Sequence, residues 1–373
     1  MPVPRFRSLL PFRARTLLPV VFAFLGLTPP GASGGEPDRL PPITTSAGVR
    51  ALSAAAAAGA RPVRLEGVVL TVVDYPAFVL RDATDGIYVT APTPAMAGLA
   101  PGEGVVVEGV TEAGNFAPIV RAATVRRLGP RPLPAPLRTT ITDLAGGGFD
   151  AKWVELDGIV RSCVNARIGP ADFDEPASPP GNRTPARESA FLTLASGEVL
   201  LRVRVSTPLE AAALVDARVR VRGVCFNVHN ANRQFVRASL RVSGPDEIAV
   251  LEAPPPDPFA LTPKRAGELL QFDPSGFTGH RGHVRGVVTR QQAGDTLWIR
   301  DGDRGLRIVS AQAGDVAPGD EVDVAGFVEH GRYSPVLVDA IFQRRARGTP
   351  PAPIALERFA EAIPHEADLV QLQ

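Results

Sequence analysis

One pattern recurs along the chain and limits what it can fold into. The segments VRLEGVV (63–69), VELDGIV (154–160) and HVRGVV (283–288) each alternate apolar and polar residues around one glycine: Gly67, Gly158 and Gly286. Alternation is the period of a half-buried strand. A lone glycine inside it marks a bulge or a sharp bend. Repetition of this kind restricts the fold to copies of one small unit.

The copies agree well beyond the first strand. Asp82 lies fifteen residues after Gly67, in FVLRDATDGIYV, and Asp301 fifteen after Gly286, in LWIRDGDRGLRIV. Each reads as two strands joined by a tight turn, with the Asp side chain bonding turn amides and Gly86 or Gly305 taking positive φ. LAPGEGVVVEG (99–109) and VAPGDEVDVAG (316–326) then align without a gap, and Phe116 and Tyr333 stand seven residues further on. A last strand closes each copy, at 119–128 and 336–344. The middle copy follows the same plan, with strands at 154–161, 191–194, 199–205, 217–225 and 234–242 and an inserted loop at 165–188.

Five strands per copy, a long bent first strand and two hairpins predict an all-β chain. It is expected to form tandem five-stranded OB-like barrels joined by Pro-rich linkers and short helices; a small β-sandwich is the alternative. The expected modules are 43–129, 138–250 and 260–348. Pro-rich linkers lie at 130–136, 254–258 and 350–353, each leading into a short helical pattern (142–145, 263–270, 356–362), and 45–60 plays that part before the first module. Thr262 and Pro263 suit a helix cap and first helical residue. By register, DLVQLQ (368–373) matches the strand that opens every copy, so 354–373 is expected to begin a fourth module and the chain to stop inside it.

The N-terminus carries Arg5, Arg7, Arg13 and Arg15, a short apolar stretch at 17–27 and small residues at 31–35. That order predicts a cleaved signal peptide over 1–34 and a periplasmic or extracellular chain. A net charge of +1 gives no bulk attraction to nucleic acid or membrane. The two cysteines, Cys163 and Cys225, fall in the middle module at the ends of strands expected to be neighbours. In an oxidising compartment they could form a disulfide or stay as two small apolar side chains.

The sequence offers no catalytic constellation: no nucleophile elbow and no phosphate loop ending in Lys. No cofactor and no metal is expected. His280 and His283 form H-x-x-H without acidic residues nearby in sequence. Binding is easier to argue. OB barrels meet ligands on the face of strands 2 and 3 and on the loops joining strands 1–2 and 4–5. This gathers Tyr75, Tyr88, Asn115 and Phe116 in module 1, and Trp298, His330, Arg332 and Tyr333 in module 3. In module 2 it gathers Asn227, His229, Asn230, Asn232, Arg233, Gln234 and Phe235, amides and a guanidinium beside an aromatic. Such groups suit a small molecule, a glycan or a protein ligand; core packing explains Phe116, Phe235 and Tyr333 equally well. Arginines at alternate positions, Arg202 and Arg204, then Arg218, Arg220 and Arg222, lie on one strand face each. They would suit a polyanion or serve as a solvated face.

The motifs VRLEGVV, FVLRDATDGIYV and LAPGEGVVVEGVTEAGNFAP resemble the tandem OB-like repeats outside the membrane in bacterial sensor histidine kinases and hybrid two-component sensors. The resemblance covers nearly all of the chain after the signal segment. It implies a non-catalytic sensory or spacer region, with membrane span and kinase domains downstream. No phospho-accepting or ATP-binding region occurs in these 373 residues. Similar modules precede secreted nucleases and phosphoesterases, so an accessory binding array is the alternative, as is a stand-alone nucleic-acid or glycan binder.

Overall fold

The computed structural model describes residues 40–73, 76–168, 187–271 and 279–373. The segment 1–34 expected to be a signal peptide, Tyr75 and most of the inserted loop lie outside them. Among the described residues, no helix is long and apolar enough to cross a membrane.

The repeats fold as all-β barrels. Strands β1 (Pro62–Val73), β2 (Ala77–Arg81), β3 (Gly86–Thr90), β4 (Glu103–Glu112) and β5 (Ile119–Pro130) close in the order β1-β2-β3-β5-β4. A short β6 (Leu137–Arg138) leads into the second barrel. There β7 (Trp153–Ile168), β8 (Arg187–Ser196), β9 (Val199–Val205), β10 (Arg218–His229) and β11 (Phe235–Val242) form the same ring, completed where β10 pairs with β7. An extra strand, β12 (Ile248–Glu252), adds to β10. The third barrel is β13 (Arg281–Gln292), β14 (Thr296–Asp301), β15 (Arg304–Val309), β16 (Glu321–His330) and β17 (Pro335–Ala346). The inward residues of each alternating strand make one core per barrel, such as Leu65, Phe78, Leu80, Ile87 and Val107 in the first, as half-buried strands require.

The strand glycine acts differently from the expectation. A Cβ on Gly67 would sit 2.3 Å from the carbonyl oxygen of Arg81. The glycine admits the backbone of β2 where β1 passes from β4 to β2. The bulge itself lies three residues on, at Leu70, Arg161 and Thr289 in the three barrels.

The helices are α1 (Ser46–Arg50), α2 (Ala54–Ala57), α3 (Thr93–Met96) and α4 (Ile141–Leu144), with 3-10 turns elsewhere; the 45–60 pattern gives two short helices, the 142–145 pattern holds to within a residue, and 263–270 and 356–362 give 3-10 turns. Thr262 caps nothing. The turn before barrel 3 begins at Ala266, after Lys264 has bridged to Val284. The same parallel bridge opens each unit: Ile43 to Val63, Leu137 to Val154, Lys264 to Val284, and β18 (Ile354–Leu356) to β19 (Val370–Leu372). A left-handed residue precedes each, at Ala60, Ala151, Gly279 and Ala367. The first three lie seven residues before Gly67, Gly158 and Gly286, and the fourth falls in the same register.

Candidate functional site at the joints between barrels

The surface that OB barrels commonly offer to ligands is, in barrel 1, packed against barrel 2. Outward-facing Val68, Leu70 and Val79 meet Ala151, Trp153 and Val224 in a small core of their own. Tyr88 joins this core edge-on to Phe226, ring centres 6.3 Å apart. Gly86, expected to need positive φ, has none. It is small because a Cβ would strike the carbonyl oxygen of Ala151 at 1.9 Å. Gly305 likewise lies against Ala367, where a Cβ would meet backbone at 2.5 Å.

The 4–5 loops of barrels 1 and 2 also meet each other. Phe116 stacks on His229 at 6.0 Å, and an Arg233 guanidinium N–H donates to the Ala113 carbonyl at 3.0 Å. Asn227 donates to the Gly147 carbonyl through its side chain, and to Asp150 through its backbone. Burial pushes the Asp150 carboxyl up, against the pull of Arg50 3.4 Å away. Asn230, Asn232 and Gln234 bond one another within the loop. Phe235 lies over Gly147 and packs on the barrel 2 core, which leaves Asn115 as an exposed loop tip.

Barrels 2 and 3 join at the same positions with different chemistry. Where barrel 1 has Leu70, barrel 2 has Arg161, a guanidinium with 4% of its side chain exposed. It donates to Glu329 at 2.6 Å and lies 4.4 Å over the ring of Phe327. Arg281 covers the same ring at 5.2 Å, so a fully buried aromatic is held between two cations. Asp216 anchors the joint. Its backbone N–H bonds the Val160 carbonyl at 2.8 Å, as Gly102 and Gly319 bond Val69 and Val288 in their barrels. All three are left-handed, with φ of 82°, 73° and 100° for Gly102, Asp216 and Gly319. An Asp in this conformation is strained relative to Gly. What it gains is reach: its carboxylate accepts from the Arg281 amide at 3.1 Å and contacts His280 at 3.0 Å. Leu70, Arg161, Asp216, Arg281 and Phe327 were not singled out from sequence. Aligning Asp216 with the two turn glycines would have flagged it.

In barrel 3 the same face holds Trp298, half-buried, with Arg290 5.2 Å over its ring. Arg300 of β14 donates to Asp368 at 2.6 Å and to the Leu369 carbonyl at 2.9 Å, seating the β18–β19 segment. Tyr333 is 63% exposed beneath Arg332, and its amide donates to Glu366. His330 contacts Glu198 of barrel 2 at 2.5 Å.

The basic stripe divides. Arg218, Arg220 and Arg222 are engaged by Glu252, Asp157 and Glu155 in a charge ladder completed by Arg138. The Arg220 hydrogen bonds hold Asp157 below the ordinary carboxylate range, and those of Arg222 do the same for Glu155. A polyanion would have to displace these carboxylates, so the expectation of a basic face over all five arginines is corrected. Arg202 and Arg204 lie apart on β9, beside Ser239 and Arg241 of β11.

The disulfide expectation is also corrected: both cysteines are free. Cys225 pairs with Lys152 at one end of β7, while Cys163 lies eleven residues further along that strand. At about 3.3 Å per residue this is about 36 Å of strand path, against roughly 7 Å for a bridgeable Cα pair. Burial pushes the Cys225 thiol up to about 12. His280 and His283 serve separate ends. His283 is buried between Asp323 at 2.8 Å and the Leu261 carbonyl at 2.6 Å, so acidic neighbours are present that the linear sequence did not reveal. Asp82 accepts from the amides of its own turn, Thr84 and Asp85, as expected, and also from Ser46 N at 2.5 Å; Asp301 accepts instead from the first amide of the adjoining turn, Ala266 N, at 2.7 Å.

No family profile and no curated protein matches the chain. Among solved structures, an aspartyl-tRNA synthetase described as putative, from Leishmania major Friedlin, aligns at 11% identity with a TM-score of 0.22, over 34% of this chain and 23% of that one. A murine DNA-binding protein bound with double-stranded DNA aligns at 12% identity with a TM-score of 0.21, over 53% and 98%. The p204 HINb domain aligns at 13% identity with a TM-score of 0.20, over 51% and 95%. At these scores none of them carries an argument about this chain.

Proposed function

We propose that the chain is a non-catalytic, extracytoplasmic array of OB-like barrels serving as the sensory or spacer region of a signalling receptor, of the sensor histidine kinase kind its motifs resemble. The observation that supports this reading is that the strand 2–3 face of barrel 1, the usual ligand surface, holds the next barrel. A face committed to its neighbour fixes distance and orientation along the chain. The N-terminal signal pattern supports export.

Two measurements test the reading. Fractionation and mass spectrometry of the full-length product should find a periplasmic chain shortened near residues 32–35; an intact cytoplasmic chain would overturn export. Reading the encoding gene past codon 373 should reveal a membrane span and kinase core. A secreted hydrolase domain there would instead make this an accessory array.

A further inference from the structure

The two joints repeat one geometry. The chain enters barrels 2 and 3 through a left-handed residue, Ala151 or Gly279, and the residue two places later, Trp153 or Arg281, meets the preceding barrel. The surface that receives it can be traced by strand pairing. In barrel 1 Thr71 pairs with Val79 just past the bulge at Leu70, and in barrel 3 Arg290 pairs with Trp298 just past Thr289. Val287, Thr289 and Trp298 therefore hold the places of Val68, Leu70 and Val79. Barrel 2 covers those three, and they are buried. Their counterparts in barrel 3 are all part-exposed.

The first half of a third joint is seated beside this face. Ala367 is left-handed, Gly305 lies against its backbone as Gly86 lies against Ala151, and Arg300 holds Asp368 in a buried ion pair. Two places after Ala367 stands Leu369. The large and small partners are exchanged relative to the first joint. There a tryptophan, Trp153, enters a surface of Val68, Leu70 and Val79; here a leucine enters beside a tryptophan. Packed surfaces tolerate such volume-conserving exchanges best. The second half of each established joint comes from the fourth strand of the entering barrel, one and three places past a glycine: Val224 and Phe226 after Gly223, Phe327 and Glu329 after Gly326. Among the described residues nothing fills that role for barrel 3. The opening strand is uncovered as well. β19 pairs only with β18, whereas β1 is held between β2 and β4. Val370 pairs with Ile354 as Val63 pairs with Ile43, so Val370 and Leu372 hold the register of Val63 and Leu65. Val63 and Leu65 belong to the barrel 1 core, but Val370 is 37% and Leu372 59% exposed. An inward row of this kind is stable only when further strands cover it.

We infer that the strand 2–3 face of barrel 3 is a third joint, which receives the fourth strand of a further OB-like barrel opened by residues 354–373. The contact on Trp298 is apolar, made by the residues just past that strand's glycine. Trp298 is then a joint residue, as Tyr88 is at the first joint, and not part of a ligand surface. This rests on the proposed function and deepens its spacer form, yet the two fail separately. A further barrel followed by a hydrolase would sustain the joint and overturn the receptor; a kinase with no further barrel would do the reverse.

The encoding gene should continue with glycine and then the remaining strands of one barrel. In a Trp153→Phe background, the chain expressed through that barrel should show Trp298 emission at shorter wavelength than the 373-residue chain, with most of its acrylamide quenching lost. Thr289→Asp, at a part-exposed position of the face, buries an unpaired charge in the joint and should restore the quenching. If that variant fails to fold, Leu369→Asp should do the same from the entering side. The inference is overturned if no barrel follows in the gene, if Trp298 is quenched equally in the two chains, or if neither variant restores the quenching. It is also overturned if quenching of the 373-residue chain falls as its concentration rises, which would place a second copy on this face.

Discussion

The two sides of the Arg161–Glu329 pair are unequal, and removing each should cost a different amount. Arg161 is 4% exposed and Glu329 is 33% exposed. Deleting the carboxylate strands a buried guanidinium, whereas deleting the guanidinium strands a carboxylate that water can reach. Breaking a buried pair from one side costs about 3–5 kcal/mol. Solvent screening at the partly open Glu329 lowers this to about 2–3 kcal/mol for Glu329→Ala. Arg161→Leu supplies the side chain that barrel 1 carries at the same place and keeps contact with Phe327. Its loss is the cation–π term and little more, about 1 kcal/mol. The chain has two tryptophans, Trp153 and Trp298. In a Trp153→Phe background, Trp298 emission therefore follows barrel 3 alone during guanidinium unfolding. Equal losses in the two variants, or a larger one for Arg161→Leu, would refute the claim that the pair is held by burial of the arginine.

Burial tends to raise the Asp82 pKa, but hydrogen bonds from Thr84, Asp85 and Ser46 outweigh it and leave it below the ordinary Asp value. The stabilisation is present above that value and lost as pH falls through the lowered one. Barrel 1 should therefore lose stability below about pH 4, and Asp82→Asn should flatten that slope in thermal melts. Trp153→Ala should cost about 3–5 kcal/mol at the first joint, equally at low and high salt; a marked salt dependence would contradict an apolar joint. Arg220→Ser should lower the melting temperature of barrel 2 slightly, by removing one rung of the charge ladder, while leaving retention on heparin unchanged, and a clear loss of retention would restore the polyanion reading. Dithiothreitol should leave the melting temperature of the air-oxidised protein where it is, and a drop would mean that Cys163 and Cys225 are bonded.

Fold and strand order were legible because alternation and turn residues are local signals. The barrel closures and the register of β19 follow from them. The joints were not legible. Leu70 and Tyr88 look like core or ligand residues until the next barrel is in place, since nothing within 63–73 says that both sides of β1 are covered. The arginine stripe misled for a related reason. Glu155 and Asp157 alternate on β7 as the arginines do on β10, and only the pairing of Arg222 with Glu155 and Arg220 with Asp157 makes the two rows cancel. The cysteines erred through register: neighbouring strands were correctly expected, but not which ends would meet.

Barrels 2 and 3 each carry a plug at the start, and barrels 1 and 2 each carry the socket that receives it, so both joints are head-to-tail. The halves are matched in pairs, however. Trp153 fits a socket of Val68, Leu70 and Val79, while Arg281 and Phe327 fit one that offers Arg161 and Asp216. Seating barrel 3 on barrel 1 would place Arg281 beside Leu70 with no Asp216 to receive it, burying an unpaired charge. The order of the barrels is thus written into the joints themselves, and a shuffled gene encoding the same three barrels would not give the same array.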